Sequence, residues 1–179
     1  MKRRDIIAAT PVAILSVRVQ AARATRPNRL KPQVDDVLVH AFGASAGEPV
    51  RPADWNGERL FAFPKAPDGV VRDGSLHNQL AIVRLDESAM TEKTRGFAAG
   101  PFVAYSAACT HTGCEVSGWL AEEQHLVCPC HGSQFDIHDA ARVAVGPAPK
   151  PLAMLPMALE NDRFRVTGAF SRRVGPEPL

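Results

Sequence analysis

At 179 residues the chain is long enough for one domain with its own core and short for two. Hydrophobic residues make up 45% and charged residues 22%, a globular balance that excludes a disordered or collagen-like chain. The net charge is +2 overall and +4 in the first 24 residues, leaving −2 for a remainder in which Lys and Arg are scattered among acids; this argues against a nucleic-acid-binding face.

Residues 1–24 have the anatomy of an export signal: a basic start, a mostly apolar run from Ile6 to Val17, and Ala22-Arg23-Ala24 as a cleavage pattern. Arg3-Arg4, one intervening residue and apolar Ile6-Ile7 resemble the twin-arginine signal, which exports folded proteins, with Ile where Phe is usual. A periplasmic protein is expected. The other reading keeps the segment as an anchor facing the same compartment. Spanning the hydrocarbon core takes roughly 20 apolar residues, and here Pro11 interrupts the run and Arg18 ends it.

Residues 25–36 are polar and Pro-containing, and read as a linker. From Val37 onward short β-rich runs alternate with Gly, Pro, Asn and Asp: 37–42, 59–63, 80–85, 102–107, 125–128, 133–137, 152–159 and 163–167. With no sustained 3.6-residue periodicity, these eight runs predict an antiparallel all-β domain over 37–170, followed by a tail, 171–179. The polar stretch 86–100 is where a short helix or long loop fits. Gly146-Pro147-Ala148-Pro149 opens a Pro-rich segment, 146–151, that should be stiff, lie outside the sheets and wall one side of a site.

All four cysteines fall in two blocks, Cys109-Thr110-His111-Thr112-Gly113-Cys114 and Cys128-Pro129-Cys130-His131-Gly132-Ser133. Two structural disulfides or a zinc site would also use such residues. Neither accounts for both histidines at these offsets beside Gly113, Pro129, Gly132 and Ser133. The pattern C-x-H-x2-C, then C-x-C-H-G-S, together with Gly146 to Pro149, resembles the Rieske iron-sulfur family in its bc-complex-like branch.

The resemblance implies a Rieske fold, a sandwich-like base of antiparallel sheets with a small cluster-binding subdomain over about 104–150. It implies a [2Fe-2S] cluster held by Cys109 and Cys128 on the buried iron and by His111 and His131 on the outer one, and a disulfide between Cys114 and Cys130. Imidazoles in place of two thiolates raise the potential, into roughly −150 to +300 mV. Ser133 matches a residue whose hydroxyl bonds a cluster sulfide, whereas Phe135 stands where the best-known members carry a second hydroxyl, on Tyr, so a potential tens of millivolts lower is expected.

Function as a single-electron carrier follows, with no catalysis by the chain alone. The expected parent is an arsenite-oxidase-like molybdenum oxidoreductase, to which the short signal and Phe135 are similar. The alternative is a quinol-cytochrome c oxidoreductase, to which Gly132 and Gly146 to Pro149 are similar. Partners would be a molybdopterin subunit or a cytochrome b, and a c-type cytochrome or similar acceptor. An oxygenase is disfavoured, since the chain leaves no room for a mononuclear iron domain. His40, His77, His125 and His138 lack ligand spacing and are expected in surface or capping roles; Trp55 and Trp119 are expected in the core or at an interface.

Overall fold

The computed structural model describes residues 26–177, so the expected signal, 1–24, lies outside the described residues. Eleven strands carry the fold: β1 (Val37–His40), β2 (Arg59–Lys65), β3 (Leu80–Arg84), β4 (Phe102–Ser106), β5 (Gly118–Leu120), β6 (His125–Cys128), β7 (Ser133–Asp136), β8 (Arg142–Val145), β9 (Met154–Leu155), β10 (Met157–Glu160) and β11 (Arg163–Val166). A short helix, α1 (Glu92–Arg95), occupies the polar stretch, with Thr91 capping it through a hydrogen bond from the Thr94 amide. Among the described residues no helix is long and apolar enough to cross a membrane.

Seven strands form one antiparallel sheet in the order β10-β11-β1-β2-β3-β4-β9, and β5-β6-β7-β8 form a second. Only Pro156 separates β9 from β10, which stand at opposite ends of the large sheet. The large sheet must therefore curl until its two ends are neighbours. Residue alternation then decides which side is interior. Leu80 and Ile82 point inward with Leu38, Ala62, Ala104, Leu155, Met157, Phe164 and Val166, closing a first core. Ala81 and Val83 point outward with Val103, Tyr105 and Met154, where they meet Leu126, Phe135 and Ile137 of the small-sheet region in a second core.

Three side chains, two from the large sheet and one from α1, tie down the small sheet. Tyr105 on β4 is fully buried and donates its hydroxyl to the Ile137 carbonyl beyond β7. Burial raises the Tyr105 pKa far above its ordinary 10, so the hydroxyl stays a donor. Arg59 on β2 donates to the Ser117 carbonyl beside β5. Thr94 of α1 accepts from the Ala140 amide and donates to the His138 carbonyl, fixing the turn into β8.

Among the described residues the structure has eleven strands where eight were expected. Gly118–Leu120 and Arg142–Val145 are additional strands, and the run 152–159 is two strands broken at Pro156, whose missing N–H and fixed φ suit a bend rather than a central strand position. Of the segment 25–36, expected as a linker, the described residues 26–36 contact the body. Asp36 is fully buried and receives two hydrogen bonds from Arg72, at 2.6 and 3.0 Å, while the Asn78 side chain donates to the Leu30 carbonyl. Within the expected tail, the Ser171 amide donates to the Met154 carbonyl and Lys150 pairs with Glu177.

Candidate metal centre

The first Cys/His block follows β4, and the second is the turn of the β6–β7 hairpin, where Cys128 and Ser133 are partners in register. Each block makes the same turn. The Gly113 amide donates to the Cys109 carbonyl and the Gly132 amide to the Cys128 carbonyl, both at 3.0 Å and both four residues on. Both glycines have positive φ, +82° and +69°, a region costly for a residue with a Cβ. This is the physical reason for glycine at both positions.

Cys109 and Cys128 are free thiols, each 1% exposed, whereas His111 is half-buried and His131 exposed. The two imidazole rings sit 4.7 Å apart, edge to face. Cysteines deep and histidines outward is the distribution expected of the donor set. Burial pushes the Cys109 thiol pKa up; the backbone amides of His111 and Thr112, directed at its sulfur, act the other way, and the neighbouring Cys128 adds to the rise. Two buried thiols side by side without a bond, and a buried His111 Nδ1 with no hydrogen-bond partner, are costly in an empty protein and fit metal coordination.

Cys114 and Cys130 form a disulfide across the two loops, with Cα atoms 6.6 Å apart. The sulfurs of Cys114, Cys128 and Cys130 lie within 4.8 Å of one another. That trio is no metal site by itself, since two of its members are bonded to each other. Its significance is that the Cys128 thiol lies beside the disulfide.

A third loop locks the first two. Its Gly146 packs on the Ser133 backbone, its Ala148 amide donates to Ser133 Oγ at 3.1 Å, and the Lys150 carbonyl accepts from Thr110 Oγ1 at 2.6 Å. Ser133 is fully buried and spends its oxygen as an acceptor here, leaving its O–H available to donate. Phe135 shares the buried face of β7 with Ser133 and is itself fully buried in the second core. Pro147 and Pro149 are exposed, with Ala148 buried between them.

The chain matches the Rieske [2Fe-2S] domain over residues 66–156. It belongs to the Rieske family. The cytochrome bc1 complex Rieske iron-sulfur subunit of Streptomyces lividans is 34% identical across 74% of this chain and 81% of that protein. A Haloferax mediterranei protein, named for a respiratory nitrate reductase Rieske subunit, is 38% identical across 67% of this chain and 52% of its own length. The bc1 Rieske subunit of Streptomyces coelicolor is matched over only 39% of its length, so the longer relatives extend well beyond the shared region. The crystal structure of the plasma-membrane Rieske protein of Synechocystis PCC 6803 aligns with a TM-score of 0.46 at 23% identity, covering 74% of this chain and 99% of that one. As a Rieske domain, the chain binds a [2Fe-2S] cluster and transfers electrons.

Several supporting residues of this Rieske protein carried no sequence signal. Thr110 and Lys150 act through a backbone carbonyl. Gln79 holds the first loop by accepting the Ala107 amide and donating its side-chain amide to Glu115 at 2.6 Å. The other histidines take polar side-chain neighbours or solvent: His40 with Asp54, His125 with Gln134, His138 beside Asp136, and His77 exposed. Trp55 is half-buried and packs edge-on against Phe102; Trp119 is half-buried against the second core.

Proposed function

We propose that Cys109 and Cys128 hold the inner iron and His111 and His131 the outer iron, and that the protein relays single electrons as the iron-sulfur subunit of a larger periplasmic oxidoreductase. The observation that carries this reading is the pair of buried free thiols opposed to two outward, edge-to-face imidazoles, on loops closed by matching turns. When bound, the cluster supplies a one-electron couple, in a range of roughly −150 to +300 mV for this ligand set.

The chain's own residues shape that couple. The cysteine end sits in the second core and is shielded from water. The histidine end is the exposed edge and is where a partner approaches. With the cluster bound, the free O–H of Ser133 would be a donor for a cluster sulfur, which would favour the more negative, reduced state. Phe135 brings no second hydroxyl. Thr110, Lys150 and Ala148 keep the third loop against the first two.

For the parent complex, a quinol-cytochrome c oxidoreductase is supported by the names of the Streptomyces relatives. A molybdenum oxidoreductase of the arsenite-oxidase type is supported by Phe135 and the short signal-like segment, and the Haloferax relative's name connects a similar domain with a different respiratory enzyme. Cys128→Ser and His131→Ala should each abolish the paramagnetic resonance of the reduced cluster; a full spin count in either variant overturns the ligand assignment. Purifying the native complex through this chain separates the parents: b-type haem supports the first, molybdenum with pterin the second, and absence of both overturns both. A mature N-terminus at Thr25 in the periplasmic fraction supports cleaved export, and a full-length chain left in the cytoplasm overturns it.

A further inference from the structure

A groove of about 640 Å³ lies between the 31–33 segment, the His77–Asn78 turn and residues 169–174. Its size suits a small ligand. Pro32, Phe170 and Val174 give it apolar lining, and Lys31, Arg172 and Arg173 supply three positive charges. No Asp or Glu is among the lining residues, and among the described residues none of the three cations is engaged in an ion pair. A concave site lined by cations without counter-charge raises the local concentration of anions.

An independent observation points the same way. Arg172 Nε is buried and has no hydrogen-bond partner, although buried donors are almost always satisfied. A guanidinium with an unspent donor presents the fork geometry that carboxylate and phosphate oxygens accept. We propose that the groove between Lys31, Arg172 and Arg173 binds an amphiphilic oxyanion, a phosphate or carboxylate head on an apolar body, the head on the arginines and the body on Pro32, Phe170 and Val174. The chain leaving the groove runs to the cluster loops: Gly175 lies against the His77 ring, Pro176 against Gly113, and Glu177 pairs with Lys150. The occupant would thus secure the root of the segment that rests on the first cluster loop, without touching the cluster.

Calorimetric titration of the cluster-loaded protein with hexyl phosphate tests this, with inorganic phosphate and hexyltrimethylammonium as controls. Hexyl phosphate should bind more tightly than inorganic phosphate, the cation should not bind, and Arg172→Gln with Arg173→Gln should weaken binding by about tenfold or more. Lys31→Gln with Arg173→Gln, which alters exposed residues only, should weaken binding in the same direction and serves if the first pair fails to load its cluster. No binding of hexyl phosphate, equal affinity for inorganic phosphate, or affinity unchanged in the charge variants overturns the proposal. Sedimentation with phosphatidylglycerol vesicles, lost in the same variants, makes the source a lipid headgroup; hexyl phosphate binding without sedimentation makes it a soluble ligand.

Discussion

Gly146 packs so closely on Ser133 that a methyl group built on it would lie 2.6 Å from the Ser133 Cα and 2.9 Å from its amide nitrogen. The contact is backbone against backbone, and Gly146 has φ of +93°. Neither neighbour can yield cheaply. Gly146→Ala should therefore push the third loop away from Ser133 and break the hydrogen bond from Ala148. The expected loss is about 2–4 kcal/mol from overpacking and left-handed backbone strain together, read as a lower unfolding midpoint and a reduced iron content after purification. Unchanged iron and midpoint would show that this packing does not hold the loop.

If the Ser133 hydroxyl donates to the cluster as proposed, it is a handle on the potential. One hydrogen bond to a charged acceptor is worth on the order of 1.5 kcal/mol, and about 59 mV corresponds to a tenfold change for one electron. Ser133→Ala should lower the midpoint potential by about 60 mV, and Phe135→Tyr should raise it by tens of millivolts, about the same scale. Protein-film voltammetry on both variants decides it. A Ser133→Ala protein at the wild-type potential would mean that the hydroxyl serves the third loop alone.

The Cys114–Cys130 disulfide spans a separation of 16 residues that includes the whole β5–β6 hairpin. Closing a loop of that size restricts the unfolded chain by about 3 kcal/mol. Cys114→Ala with Cys130→Ala should lose about that much stability in chemical denaturation and leave both histidine-bearing segments less constrained, seen as broadened cluster resonances. Stability within about 0.5 kcal/mol of wild type would show that the third loop alone fixes the geometry.

Asp54 gives the acid limb a small, testable component. Burial alone would raise its carboxyl; hydrogen bonds from His40 and the Arg51 amide, with the charges on both residues, outweigh it and hold the pKa below the ordinary 3.8. A depressed carboxylate contributes stability that is present in full above 3.8 and is lost as pH falls through the lower folded value. For so exposed a group this is no more than about 0.5 kcal/mol after solvent screening. Asp54→Asn should reduce stability slightly at pH 6 and flatten the dependence below pH 4; unfolding curves at the two pH values, parallel to wild type, would exclude it.

Sequence alone made the two Cys/His blocks and most core strands legible, because spacing and two-residue alternation are local properties. The turn glycines were visible as residues, while their common hydrogen bond to a cysteine carbonyl was not. β5 is three residues long and β8 begins just after Ala140 and Ala141, whose φ of +50° no alanine propensity would suggest. Their strand character comes from pairing with β6 and β7. Asp36 looked like a polar linker residue because its partner, Arg72, is 36 positions away. The Lys150 and Gln79 carbonyls support the centre by accepting from the Thr110 hydroxyl and the Ala107 amide, and such backbone acceptors leave no compositional trace.

The sulfur of Cys128, within 4.8 Å of both disulfide sulfurs, makes the chronology of maturation matter. A thiolate beside a disulfide can attack it and exchange partners, yielding a bond from Cys128 to Cys114 or Cys130 and a released thiol. Iron held by Cys128 would remove that nucleophile. Metal insertion ahead of exposure to an oxidising compartment would therefore protect the pairing of the loops, whereas a chain oxidised first would divide itself among exchanged pairings, in which Cys128 is withheld from iron until the released thiol attacks back.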